Sequence, residues 1–231
     1  MIAAIFDLDG TLYTGHIWRG ITEHHRTFRT KRFLLYTYTI SHIPFWWMQK
    51  AGLISEEAGR AIWARDLAWT IRGWTVEEGA EAFKWITSEY VMPRVRPNIM
   101  ARLRNHQQFG HRVILVSGTM SPMLEEIGHQ MGIDETVGTP PKTRRGRYTG
   151  AVELPVCQGT KKVLRLKMHL EGTDGVDWAD SWSYADSNTD LKFLEIAGNP
   201  VAVYPDPILK EHARDNGWEI IDDAEEEADS T

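Results

Sequence analysis

Two aspartates stand two residues apart near the start of the chain, directly after an almost wholly apolar run. The run covers residues 2–6, the acids are Asp7 and Asp9, and Gly10 and Thr11 follow. Two carboxylates this close repel each other unless a cation lies between them or one stays protonated. Magnesium is a hard ion that prefers oxygen ligands and is often held by one or two carboxylates. The pair therefore predicts a magnesium site at which chemistry takes place.

The apolar run before these acids is typical of a strand buried on both faces of a parallel sheet. Ligands of such sheets bind just outside the carboxyl ends of the strands. Other polar groups occupy matching places further along the chain. They are Ser117-Gly118-Thr119 after a predicted strand at 112–116, Lys161 and Lys162 in the first turn of a predicted helix at 159–170, and Asp186 and Asp190 after a predicted strand at 181–185. We expect all of them to meet at one edge of the sheet.

Such a set of side chains suits chemistry on a phosphate ester. Asp186 and Asp190 can join Asp7 in surrounding a magnesium ion. Ser117, the backbone amides beyond it and a lysine can hold phosphate oxygens through charge-assisted hydrogen bonds. A carboxylate can attack the phosphorus and form an aspartyl-phosphate. Asp9 can then protonate the leaving oxygen and later activate water.

These motifs resemble the haloacid dehalogenase-like superfamily, and their order resembles its phosphoserine-phosphatase-like branch. The four motifs are residues 7–11, 116–119, 157–163 and 186–190. The resemblance implies that Asp7 is the nucleophile and Asp9 the acid/base, and that Ser117, Gly118 and a lysine bind the phosphate. It also implies that magnesium is held by Asp7, the backbone carbonyl of Asp9, and Asp186, while Asp190 binds a metal water or orients the lysine. We align that lysine with Lys162; Lys161 is the alternative.

Strands alternate with helices after residue 97, which predicts an α/β fold with a doubly wound, Rossmann-like parallel sheet. We assign this core to residues 1–13 and 93–221. Residues 14–92, called the cap from here on, are helical in pattern and are predicted to form an inserted all-helical domain. A polar stretch at 140–154 predicts a hairpin on the edge of the sheet. The acidic residues 222–231 predict a solvated, disordered tail.

The cap is rich in aromatic and basic residues. It contains seven of the ten tryptophans, and between His16 and Lys50 six bases face the single acid Glu23. Its segment 33–48 is mostly apolar but shorter than the run of about 18 residues that suggests a membrane span. The basic aromatic surface either packs within the bundle, with its bases in solvent or facing an anionic substrate, or makes a peripheral contact with an anionic membrane.

The composition limits the class of protein and its surroundings. The chain has 231 residues, 42% of them hydrophobic, and a net charge of −6 that the acidic tail alone accounts for. A nucleic-acid partner is therefore not expected. The single cysteine, Cys157, allows no intrachain disulfide and is expected to be a packed filler rather than a nucleophile. With no signal peptide visible, we expect a cytoplasmic protein; the sequence predicts no particular oligomeric state.

The sequence thus predicts a magnesium-dependent phosphatase that hydrolyses a phosphate monoester through an aspartyl-phosphate on Asp7. A small soluble ester is one substrate class, and a lipid phosphate of the phosphatidylglycerophosphate or lysophosphatidate type is the alternative. A second alternative is a phospho-accepting signalling domain or a phosphotransferase. Phosphoserine-specific members of the resembling branch carry a glutamate soon after the first motif, and here no acid lies between that motif and Glu23. We expect His16, His24 and His25 to be packed or exposed rather than to bind the leaving group.

Overall fold

The computed structural model describes residues 1–172 and 175–222. The elements in chain order are β1 (Ala3–Phe6), α1 (Ile17–Thr27), α2 (Arg32–Lys50), α3 (Glu56–Asp66), α4 (Val76–Trp85), α5 (Pro97–Gln108), β2 (Arg112–Met120), α6 (Ser121–Met131), β3 (Glu135–Thr139), β4 (Pro141–Arg144), β5 (Arg147–Val152), α7 (Thr160–Leu170), β6 (Trp182–Ala185), α8 (Leu191–Leu194), β7 (Asn199–Val203), α9 (Pro207–Asp215) and β8 (Glu219–Ile221). Short 3₁₀ turns follow α3 and precede α8, and a π-helical turn follows α4.

Six of these strands form one parallel sheet in the order β3-β2-β1-β6-β7-β8. The strand order reverses between β1 and β6, so the carboxyl ends of these two neighbours flank the crevice where such sheets bind ligands. Strand β1 is fully buried. Its residue Ile5 packs into one hydrophobic cluster, whereas Ala4 and Phe6 pack into the other. Alternate side chains thus enter cores on both faces, which confirms the predicted doubly wound α/β fold.

The helices α1 to α4 lie between β1 and α5, where the cap was predicted. The Thr75 hydroxyl accepts a hydrogen bond from Glu78 N while the Glu78 carboxylate accepts one from Thr75 N, so the predicted capping box opens α4. The two ends of the cap lie together, because Tyr13 pairs with Val95 as a β-bridge and Thr14 N donates to Arg94 O at 2.9 Å. The division into two folding units stays a prediction.

The predicted hairpin at 140–154 is present as β4 and β5, but its predicted place was wrong. It forms a separate two-stranded sheet instead of extending the edge of the large one. Its free backbone groups pair with the cap: Gly73 N donates to Tyr148 O at 2.8 Å, and Tyr148 N donates to Trp74 O at 2.9 Å. The edge beside β2 is instead taken by β3, which the sequence pattern did not reveal.

No helix within the described residues is long and apolar enough to span a membrane.

The predicted acidic tail begins at Asp222, whose carboxylate pairs with Lys210 Nζ. Residues 223–231 lie outside the described part of the chain, so their predicted disorder remains untested.

Candidate active site

Three carboxylates meet where β1 and β6 end. Asp7 follows β1, Asp186 follows β6, and Asp190 closes the 3₁₀ turn Asn188–Asp190. Each offers an oxygen, and these oxygens all lie within 4.8 Å of one another. Asp7 and Asp190 are almost fully buried. The strand ends therefore bring together the three acids expected there from sequence.

Lys162 lies among these acids. Its Nζ donates to Asp7 Oδ1 at 2.5 Å and to Asp190 Oδ2 at 2.7 Å, and its side chain is buried. Burial alone would lower the pKa of Lys162, but Asp190 and Asp7 outweigh it and raise that pKa above its ordinary value. Lys161, one residue earlier on α7, is exposed. The geometry therefore brings Lys162 to the site and leaves the alternative lysine outside.

The acid cluster has the chemistry of a divalent-cation site. Burial, followed by repulsion from Asp7 and Asp190, raises the pKa of Asp186 to about 8. Within the described residues, the buried Asp190 Oδ1 accepts no hydrogen bond. A cation between the carboxylates would relieve both conditions. Magnesium, which prefers oxygen ligands and keeps some of its waters, fits this donor set.

Gly10 allows the first motif and Asp186 to approach closely. Its φ is +83°, a conformation that costs glycine little. A Cβ at this position would lie 2.1 Å from Asp186 Oδ2, so the Asp186 carboxylate would have to move away from it. Both the backbone conformation and the position of Asp186 therefore favour glycine at position 10.

Asp9 is held apart from the three-acid cluster. Tyr13 Oη donates to Asp9 Oδ1 at 2.7 Å, and Ile17 N lies 3.2 Å from both carboxylate oxygens. Burial raises the pKa of Asp9 to about 7. A carboxyl group with that pKa can both give and take a proton near neutral pH. Tyr13 was not expected from sequence, although its position four residues after Asp9 is visible there.

The second motif forms the end of β2, which runs past the predicted limit at residue 116 to Met120. Ser117 Oγ donates to Thr119 Oγ1 at 3.0 Å and accepts from Thr119 N at 3.2 Å. A Cβ on Gly118 would lie 2.5 Å from Gln158 Oε1, so glycine permits the loop before α7 to pack closely. Ser117 and Gly118 both line the cleft that holds Asp7.

The cleft has a volume of about 340 Å³ and lies between the core and the cap. The core side carries the motif residues described above. The cap contributes His16, Ile17, Trp18, Tyr38, Gln49, Arg60, Trp63, Ala64 and Leu67. Among the described lining residues, the cap side bears no carboxylate, and its one guanidinium, that of Arg60, pairs with Glu56 at 2.7 Å. Sequence reasoning missed this wall, because no local pattern shows which cap side chains face the core.

The remaining candidates lie apart from the chemistry or at its rim. His16 lines the cleft, and burial, with Arg19 and Arg60, lowers its pKa. His24 and His25 are buried inside the cap. Cys157 is buried and unbridged, and burial raises its thiol pKa to about 12, so it is no nucleophile at neutral pH.

Comparison with known proteins gives this geometry its family. The family model described as haloacid dehalogenase-like hydrolase matches residues 4–195. The chain belongs to this family. A histidinol-phosphatase of Neisseria meningitidis is 27% identical over 230 residues, covering 94% of this chain and 97% of that protein. A phosphoserine phosphatase of Mycobacterium tuberculosis is 28% identical over 225 residues, covering 95% of this chain and 70% of that protein.

Solved structures agree with the family. A Bordetella pertussis protein described as having unknown function superposes with a TM-score of 0.81 at 26% identity, covering 95% of this chain and 97% of that one. A phosphoserine phosphatase in a phospho-aspartyl intermediate analogue superposes with a TM-score of 0.59 at 18% identity, covering 95% and 91%. The latter supports the fold alone. Family and relatives together confirm the predicted enzyme class, a phosphatase of the haloacid dehalogenase-like type.

Proposed function

We propose that the chain is a magnesium-dependent phosphomonoesterase that works through an aspartyl-phosphate on Asp7. The observation that carries this proposal is Lys162 Nζ bridging Asp7 and Asp190 within the three-acid cluster. A buried cation beside a carboxylate nucleophile supplies the positive charge that a phosphate needs in order to approach that carboxylate. Magnesium bound by Asp7, Asp186 and the Asp9 carbonyl would add charge neutralisation at the same point.

Each residue then has a defined task. A carboxylate oxygen of Asp7 forms a bond to phosphorus while the ester P–O bond breaks, and Asp9 gives its proton to the leaving oxygen. Asp9, now charged, takes a proton from a water molecule, whose oxygen bonds to phosphorus and releases phosphate and free Asp7. Lys162 and Ser117 hold the phosphate oxygens in both steps.

The cap side of the cleft supports a proposal for the substrate class. Trp18, Tyr38 and Trp63 provide flat apolar surface, which favours a leaving group that bears a ring. Phosphoserine has no ring, and its ammonium group would meet no carboxylate on the cap side of the described lining. The relative named histidinol-phosphatase acts on a ring-bearing ester. We therefore propose a small ring-bearing phosphate ester, with histidinol phosphate as the first compound to test.

A lipid phosphate is the second candidate, favoured by the apolar surface exposed on α2, where Phe33 is 75% and Trp47 63% exposed. Transfer of the phosphoryl group to an acceptor other than water would use the same residues. A cytoplasmic location belongs to the proposal as well, because a single cysteine leaves no intrachain disulfide to form.

Asp7→Asn tests the mechanism. Turnover of p-nitrophenyl phosphate should fall below detection, because an amide is a very poor nucleophile. Asp9→Asn should still form the phospho-enzyme, visible as a phosphoryl adduct by mass spectrometry, but should release it slowly. Asp215→Asn, at the exposed end of α9, is the matched control. Full activity of Asp7→Asn, or activity that survives removal of divalent metal, would contradict the proposal.

The substrate assignment is tested separately by comparing kcat/KM across a panel. Histidinol phosphate should exceed phosphoserine by at least about tenfold, since one well-matched apolar contact is worth about 1–3 kcal/mol. The panel also includes lysophosphatidate and phosphatidylglycerol phosphate. In Trp63→Ala, the ratio of kcat/KM for histidinol phosphate to kcat/KM for phosphoserine should fall. A preference for phosphoserine would contradict the ring-bearing class, and a preference for the lipid esters would favour the second candidate.

A further inference from the structure

Helix α2 exposes a continuous apolar stripe on the outer side of the cap. Phe33, Tyr36, Ile40, Ile43 and Trp47 recur at intervals of three and four residues, so they share one side of the helix. Their exposed fractions are 75%, 66%, 45%, 47% and 63%. Large apolar side chains rarely form contiguous exposed patches unless something binds them. The stripe therefore needs an occupant.

The opposite side of α2 is already occupied. Tyr38 and His42 are buried against the rest of the cap, and Tyr38 Oη donates to Trp63 O at 3.1 Å. Tyr38 and Gln49 also line the catalytic cleft. The helix thus forms part of the cleft with one face and presents the apolar stripe with the other.

The chain segment that carries the stripe bears formal charges of a single sign. Residues 24–55 contain five bases, Arg26, Arg29, Lys31, Arg32 and Lys50, and no acid. Arg32 and Lys50 are exposed and lie about five helical turns apart, so they fall on the same flank of the stripe at its two ends. Lys50 Nζ also lies 5.9 Å from the Trp46 ring. A cationic rim of this kind calls for an anionic partner.

A second copy of the chain does not meet that requirement. In a two-fold interface the same patch faces itself, so the bases of both copies would come together. The segment that carries the stripe has no acid to pair with them. An anionic bilayer meets the requirement for an anionic partner. The basic side chains would face the lipid phosphates, and the Trp and Tyr rings would lie at the membrane interface.

We propose that the α2 stripe docks on an anionic phospholipid bilayer, with the helix lying along the surface. Only one face of α2 would enter the interface, because Tyr38 and His42 on the other face stay packed against the cap. Because Tyr38 and Gln49 on the other face of α2 line the cleft, the cap wall of the cleft then lies beside the lipid headgroups. The inference holds whichever phosphate ester is hydrolysed.

The experiment is flotation of the full chain with vesicles of phosphatidylglycerol and phosphatidylcholine, compared with phosphatidylcholine alone. At low salt we expect binding to the mixed vesicles that falls at high salt, because exposed charges are screened. Ile40→Glu and Trp47→Glu should each reduce binding at least about tenfold, since a charge replaces an inserted apolar group. Arg32→Ala with Lys50→Ala should reduce it while leaving the stripe intact.

Ile208→Glu on α9 is the matched control, since Ile208 is 59% exposed on the core. All variants should keep wild-type turnover of p-nitrophenyl phosphate, which separates loss of docking from loss of fold or mechanism. Absence of binding at low salt, or equal binding to neutral vesicles, would overturn the proposal. So would self-association in sedimentation that Trp47→Glu abolishes while vesicle binding is absent, since the occupant would then be a second copy.

Discussion

In the proposed mechanism, proton transfer depends on how the Asp9 carboxyl group is held. Asp9 receives hydrogen bonds from Tyr13 Oη and from Ile17 N, and its burial raises its pKa to about 7. The two effects oppose each other, because donors favour the charged form and burial disfavours it. Tyr13, fully buried beside Asp9, therefore orients the Asp9 carboxyl group and lowers its pKa against the effect of burial.

Tyr13→Phe isolates that contribution. With one donor to the carboxylate lost, the pKa of Asp9 should rise further, and the alkaline limb of the kcat/KM profile should move to higher pH. At neutral pH we expect kcat/KM to fall about tenfold, since the acid is less firmly oriented. Tyr36→Phe, at an exposed position on α2, should change neither quantity. An unshifted pH profile in Tyr13→Phe would show that Tyr13 only packs.

The sequence was sufficient for the residues that sit at strand ends and insufficient for those that approach from the cap. The parallel register of β1 and β6 brings together Asp7, Asp186 and Asp190. The alternation of strands and helices along the chain predicts this parallel pairing. Arg60 and Trp63 reach the cleft only because α3 packs across it, and that packing depends on contacts distant in sequence. The two neighbouring lysines differ in burial, which the sequence alone does not show. In the structure Lys162 is buried at the site and Lys161 is exposed.

The β4–β5 hairpin shows how tertiary pairing overrides a local pattern. Its turn signals predicted a hairpin correctly, but backbone pairing with Gly73 and Trp74 attaches it to the cap. Strand β3 is short and carries Glu135, Thr136 and Thr139, so little in its own sequence marks a buried strand. The strand conformation of this segment depends on its pairing with β2.

Gly79 is the position at which helix α4 meets this hairpin. A Cβ there would lie 2.5 Å from Tyr148 Cε2 on β5, and Tyr148 is buried. Gly79→Ala should gain up to about 1 kcal/mol of helix propensity but lose about 1–3 kcal/mol through overpacking. We expect a net loss of unfolding free energy in urea titrations. Ala80→Gly, at the exposed neighbour, measures the propensity effect alone; a stabilised Gly79→Ala would mean that Tyr148 moves at little cost.

Buried neutral histidines make the stability of the folded chain depend on pH. Burial, followed by repulsion from His24, lowers the pKa of His25 from 6.5 to about 4. Between those two values the unfolded chain binds a proton that the folded chain does not, so stability is lost as pH falls through this window. Below the lower value both states are protonated and the loss is complete.

His25→Gln tests this linkage. The wild-type protein should lose about 2 kcal/mol more than the variant between pH 7 and pH 5, as a single linked proton requires. Urea titrations at the two pH values measure the difference. His129→Gln, at an exposed position, should behave like the wild type. Burial also lowers the pKa of His106 to about 4, so the stability of His25→Gln should keep some pH dependence. If the variant and the wild type lost the same free energy of unfolding between the two pH values, His25 would not be the linked group.

The bridge between Tyr13 and Val95 joins the two crossings from core to cap, and Asp9 lies only four residues before it. Ile17, which donates to the Asp9 carboxylate, is the first residue of the first cap helix. A displacement of the cap that carried Ile17 away from Asp9 would remove one of the two donors that orient this acid. Under the proposed mechanism, proton delivery to the leaving oxygen is therefore coupled to contact between the cap and the core.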